Sequence, residues 1–147
     1  MAYLGMVVHQ NTMTYLMAYK RDGDMRSMAI LLPSLAHGGA QKVFLEMAGY
    51  LANNGRKVVL VSLDEEGELL KRLPNNLDVV FLDGGLTGST LAKRCVQWLR
   101  LRRIIKRRGV DTVLSTITGM NIFTLSCFLF SRKVNLIIRE ATTLENN

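Results

Sequence analysis

The 147-residue sequence predicts a doubly wound parallel α/β sheet. Three observations carry that prediction. Short apolar runs alternate with stretches of helical period along the chain. The apolar runs are nearly continuous, as in strands covered on both faces, rather than alternating with polar residues. Glycine, proline and asparagine punctuate the joins. Right-handed crossovers then place five strands in the order 3-2-1-4-5, with the winding reversing between strands 1 and 4.

The elements follow in order. Ala29 to Leu32 is a buried strand that Pro33 ends. From Ala40 the period becomes helical, with Ala40, Val43, Phe44, Met47, Ala48 and Leu51 forming the expected apolar stripe. Gly55 follows this helix where a C-terminal cap is expected. Lys57 to Leu63 is the second strand, Glu68 to Leu73 a short helix closed by Pro74, and Asp78 to Leu82 the third strand. A glycine-containing loop leads into a long basic helix, Ser89 to Arg108, which Gly109 ends. Asp111 to Ser115 is the fourth strand, Met120 to Phe130 an apolar helix, and Asn135 to Arg139 the fifth strand.

One domain fits this length, and we place it at residues 28–147. Residues 1–27 read as an N-terminal extension that is poorly ordered. Six of the eight methionines fall within the first 28 positions, which suggests an upstream extension of the reading frame with a natural start at Met25 or Met28. The stretch lacks the basic start and apolar length of a secretory signal. A hydrophobic content of 48% with 21% charged residues is that of a folded domain. Cys95 and Cys127 have no metal-ligand spacing and read as buried free thiols in a reducing compartment, so no metal is expected. No apolar run reaches the ~18 residues that cross a bilayer.

The net charge of +7 is unevenly placed. Residues 93–108 hold eight basic and no acidic side chains, while the rest, with eleven basic and twelve acidic, sums to −1. A chain near neutral outside one helix is not a surface adapted as a whole to nucleic acid.

A candidate site lies where the first strand meets the first helix. Gly38 and Gly39 leave backbone N–H groups with no side chain to keep a ligand away. A helix N-terminus carries roughly half a positive charge, which suits phosphate or another anion. The alternative is a tight turn that needs glycine for its φ angles. Ligands in such sheets bind at the carboxyl ends of the strands flanking the reversal. Two loops meet there, Ser34 to Gly39 and Thr116 to Asn121, with Arg139 and Glu140 nearby. His37 reads either as a substrate contact or as a solvated loop side chain.

Several chemistries find no support. A dinucleotide turn needs G-x-G-x-x-G, but after Gly39 no glycine recurs until Gly49. A G-x-x-x-x-G-K-S/T loop and a G-x-S-x-G turn are both missing, and neither cysteine is paired with a base.

The order of elements and the motif Leu35-Ala36-His37-Gly38-Gly39-Ala40-Gln41-Lys42-Val43 resemble the amino-terminal domain of family 4 glycosyltransferases of GT-B architecture. Gly55-Arg56-Lys57-Val58, Asp111-Thr112-Val113 and Arg139-Glu140 resemble later features of that domain. The resemblance implies one Rossmann-like half of a GT-B enzyme. It would move a sugar from a nucleotide-diphosphate donor, its only implied small-molecule partner besides the acceptor, to a glycan or lipid-linked acceptor in polysaccharide biosynthesis. No separate cofactor is implied. Gly38, Gly39 and Ala40 would present amides to the donor phosphates. Gln41 stands where the family often has glutamate, and Thr116 where many members have histidine, so no catalytic base is assigned. Gln41, Thr116, Asn121, Arg139 and Glu140 would face substrate, with capping of the following segment as the alternative for Glu140. The family's second domain grips the nucleotide with two glutamates eight positions apart. No glutamates here have that spacing, so this chain alone is expected to be inactive, pending a separate C-terminal domain or subunit.

The basic helix admits three readings. Leu91, Cys95, Trp98 and Ile105 form its expected core-facing stripe, with Leu99 and Leu101 at the margins and Arg102 interrupting it. The remaining arginines are then a solvated face. Alternatively Arg102, Arg103, Arg107 and Arg108 meet an anionic membrane surface from the cytoplasm, since about 1 kcal/mol per basic residue accumulates there. Nucleic acid is disfavoured, because Trp98 alone offers a stacking ring nearby. The reading of a different class is a non-catalytic α/β module, descended from such an enzyme, that binds a membrane or a partner.

Overall fold

A computed structural model of the chain describes residues 27–36, 38–86, 89–128 and 133–139. The expected extension, His37 and Glu140 lie outside the described residues. Five strands, β1 (Ser27–Leu32), β2 (Lys57–Ser62), β3 (Asp78–Phe81), β4 (Thr112–Thr116) and β5 (Asn135–Arg139), form one sheet in the order β3-β2-β1-β4-β5. All four pairings are parallel. This is the doubly wound α/β fold that the alternation of elements predicts.

The helices are α1 (Gly39–Asn53), α2 (Thr90–Arg108) and α3 (Thr118–Phe128), with a 3-10 turn at Glu68–Arg72. Alternate residues of the central strands feed two cores. Met28, Ile30, Leu32 and Leu114 meet Phe44, Leu45, Met47 and Ala48 of α1, with Leu69 of the 3-10 turn. Ala29, Leu31 and Val113 meet Leu101 and Ile105 of α2 and Met120, Phe123 and Cys127 of α3. Every residue of β1 is buried, as its unbroken apolar run requires.

The ends of the elements are set by local chemistry. The hydroxyl of Ser89 accepts from Ala92 N–H (3.4 Å) as the N-cap of α2. Gly109 closes that helix in the left-handed region at φ 61°. Gly55 caps α1 as its position predicts, with φ 73° and Arg56 N–H donating to Leu51 C=O (3.0 Å). β1 starts earlier than Ala29: Ser27 Oγ donates to Gly109 C=O (2.7 Å), fastening the strand to the end of α2.

Two expected helix faces are corrected. On α1, Val43 is exposed and Leu45 is buried in its place. On α2 the core arc is Gln97, Leu101 and Ile105, whereas Leu91, Cys95 and Leu99 point to solvent. Gln97 is buried within that arc, where its amide donates to Asp83 (3.4 Å). Only Cys127 is a buried thiol; burial pushes it up to about 12.

Candidate functional site

The loop after β1 is held by its neighbours before it reaches the glycines. Leu63 N–H donates to Leu32 C=O (3.1 Å) and Asp64 N–H to Pro33 C=O (3.3 Å). Leu35, fully buried, donates through its N–H to Glu66 C=O (3.2 Å) and accepts from Leu69 N–H (3.1 Å). Gly67, at φ 136°, makes this possible, because a Cβ there would collide with the Leu35 carbonyl. The sequence offered no hint of this clamp, since nothing in it says which backbone comes close to residue 67.

Gly38 is the N-cap of α1 in an extended conformation, φ −149° and ψ 147°, and no side chain caps the first turn. Neither Gly38 nor Gly39 has a positive φ. The conformational explanation for the glycine pair therefore fails. A Cβ on Gly39 would meet nothing within 4 Å, so the space before the helix is open. A Cβ on Gly38 would meet the side-chain amide of Gln41, which folds back over it from the third helical position, where a capping-box residue sits. Ala40 is half-buried beside them.

The far wall comes from β4 and β5. Thr116 is paired in register with Arg139, and Leu31 with Ser115. The Arg139 guanidinium stands 5.6 Å from the centre of the Phe44 ring. Phe44 lies four residues beyond Ala40 on the same side of α1, so Arg139 borders the first turns of that helix. Thr116 Oγ1 and Arg139 Nε are buried and have no hydrogen-bond partner among the described residues. Ser115 Oγ is in the same condition on the opposite face. Orphaned groups of this kind are costly in a core.

Asn121 stands in the first turn of α3. It is buried and its Nδ2 donates to Arg139 C=O (3.0 Å), fixing the end of β5 against the start of α3. Ile117, between β4 and α3, sits at φ 73°, a left-handed conformation that a β-branched residue rarely adopts. Its carbonyl accepts the first bond of α3 from Asn121 N–H (2.9 Å). Strain of this type, on the order of 1–3 kcal/mol, gathers at functional sites; no sequence signal marked it.

The other end of the rim is acidic. Asp64 lies two residues beyond β2 and Asp83 two residues beyond β3. Partial burial first, then repulsion from Asp83 and Glu66, raises the Asp64 carboxyl against the opposing pull of Arg94 and Lys93. Among the described residues there is no group of three or more His, Cys, Asp or Glu able to hold a metal ion.

The four arginines assigned to a membrane face separate into two pairs. Arg102 donates to Cys127 C=O (3.1 Å) and lies 4.7 Å from the Trp98 ring, and Arg108 pairs with Asp78. Arg103 and Arg107 are exposed with no partner among the described residues. No described helix is long and apolar enough to cross a membrane. Comparison of the chain with protein-family models and with curated proteins found no match.

Proposed function

We propose that this chain is the acceptor-side half of a GT-B type sugar transferase, and that the head of α1 receives the diphosphate of a nucleotide-sugar donor. The observation that carries the reading is the open space before Gly39, faced by uncapped helix amides and bordered by Arg139 and Thr116. When a glycosyl bond to a diphosphate breaks, negative charge grows on the departing phosphate oxygens. Amides at the helix head, with the Arg139 guanidinium nearby, would stabilise the growing charge. The acceptor, a glycan or lipid-linked sugar, would lie along the loop after β4. On this reading the chain works in the cytoplasm. The grip on the nucleoside would come from outside these 147 residues.

The test is binding, because turnover by this chain alone is not expected. Titrating it with inorganic pyrophosphate and with uridine diphosphate, followed by amide NMR, should move the signals of Gly38 to Gln41 and of Arg139. Gly39→Leu fits the open space without strain and should abolish those shifts while leaving the melting temperature in place. Arg139→Ala should weaken binding about tenfold or more, as loss of a charged hydrogen-bond partner does. Shifts confined to the basic helix α2, or shifts that Gly39→Leu leaves intact, would overturn the assignment.

A further inference from the structure

The outer side of the α2–α3 layer carries apolar side chains that no core uses. Leu91 is 76% exposed, Leu99 57% and Ile122 64%, with Val96 beside them. Leu91, Cys95, Leu99, Arg103 and Arg107 follow one another at steps of four along α2 and are all exposed, a row that winds about 40° per step round the outer side of the helix. The row is apolar in its first half and cationic in its second, and Lys106 is exposed next to Arg107. α2 contains no acidic residue. Four of its other five cations are occupied elsewhere: Arg94 over Phe123, Arg100 on the carbonyls of Leu82 and Gly84, Arg102 on Cys127, Arg108 on Asp78.

We propose that this face lies flat on an anionic lipid surface, with Leu91, Leu99 and Ile122 entering the headgroup boundary while Arg103, Lys106 and Arg107 meet lipid phosphates. The geometry favours lipid over the alternatives. A helix ridge is convex, and from Leu91 to Arg107 it runs about 24 Å at 1.5 Å per residue, which suits a plane rather than a peptide groove. Apolar insertion combined with basic residues on one face is what holds interfacial helices to membranes. Nucleic acid would use the charges and leave the leucines without a role. Beside the row, Arg94, Cys95, Trp98, Leu99, Phe123 and Ser126 line a shallow, mostly apolar cleft of about 430 Å³. The Trp98 indole is fixed there by donation to Ser126 C=O (3.2 Å). It is the sole tryptophan of the chain and reports directly on the face.

This proposal does not depend on the sugar-transfer reading. Its test is flotation of the purified chain with vesicles of phosphatidylcholine, with and without phosphatidylglycerol, together with Trp98 emission. The chain should float with the anionic vesicles, and the Trp98 emission should shift to the blue. Arg103→Glu with Arg107→Glu should lower partitioning by at least about 30-fold, since each basic residue near such a surface is worth about fivefold. Leu91→Ser with Leu99→Ser should also reduce binding and remove the blue shift, with circular dichroism unchanged. Equal binding to neutral vesicles, or full binding by the serine pair, overturns the proposal. So does a dimer that the serine pair dissolves while vesicles go unbound, which would give the face to a second copy. Retention of RNA without flotation would give it to nucleic acid.

Discussion

Gly39 and Gly67 show how differently one residue type can be required. Gly39 has an ordinary backbone and open space where a side chain would go, so neither strain nor a close neighbour requires glycine there. Gly67 has both a positive φ and a carbonyl in the way, so its bareness serves the fold. Gly67→Ala is therefore expected to destabilise the protein by about 2 kcal/mol, the range of a forced backbone strain. A urea titration checks it, and a change near zero would show that the Leu35 clamp does not hold the loop. The glycine pair itself was legible in the sequence, since Gly38 and Gly39 fall between a strand and a helical period. Its reason was not, because a turn that needs positive φ and one that needs room are written with the same letters. Ile117 carried no signal at all: a β-branched residue in the left-handed region contradicts every local preference, and only the surrounding fold imposes it.

At the scale of elements, α1 and α2 were readable in extent, and α2 was misread in rotation. Ser89, Gly55 and Gly109 gave the boundaries because capping is local chemistry. The buried arc is chosen by where the crossover lands on the sheet, which is not local. In α2 a glutamine holding Asp83 occupies the centre of that arc, and the apolar residues one step round are left in water. An argument that sends polar residues outward must rotate this helix wrongly. Gly109 provides a test of the element by itself. It shares the positive φ of Gly67 but has no neighbour near its missing Cβ. Gly109→Ala should thus cost about 1 kcal/mol, the left-handed penalty alone, and less than Gly67→Ala in the same denaturant series. Equal losses would mean that the close approach at Leu35 contributes nothing.

For the whole molecule, strand order was the most legible property, because alternating elements and right-handed crossovers leave few topologies. The structure adds a division of charge along the carboxyl rim of the sheet. Asp64 and Asp83 stand at the β2–β3 side, Arg139 stands at the β5 side, and the head of α1 begins between them after β1. The acid side makes stability depend on pH. Asp64 holds its proton more tightly folded than unfolded, so its favourable contribution is complete at low pH and disappears as pH rises through its raised value. At neutral pH its charge weakens the fold. Asp64→Asn should raise the melting temperature slightly at neutral pH and leave it unchanged below about pH 4, where ordinary aspartates are protonated. Thermal melts across that interval decide it, and an increase confined to acid pH would reverse the sign of the argument.

The bonds that tie Leu35 to Glu66 and Leu69 have a bearing on how anything could be recognised there. A loop that must be frozen by its guest exacts an entropic toll on each encounter. Here the neighbouring turn has already done the freezing, so an arriving anion would find the lead-in to its perch held before contact. Discrimination would then rest on fit and charge rather than on the guest's power to organise its host.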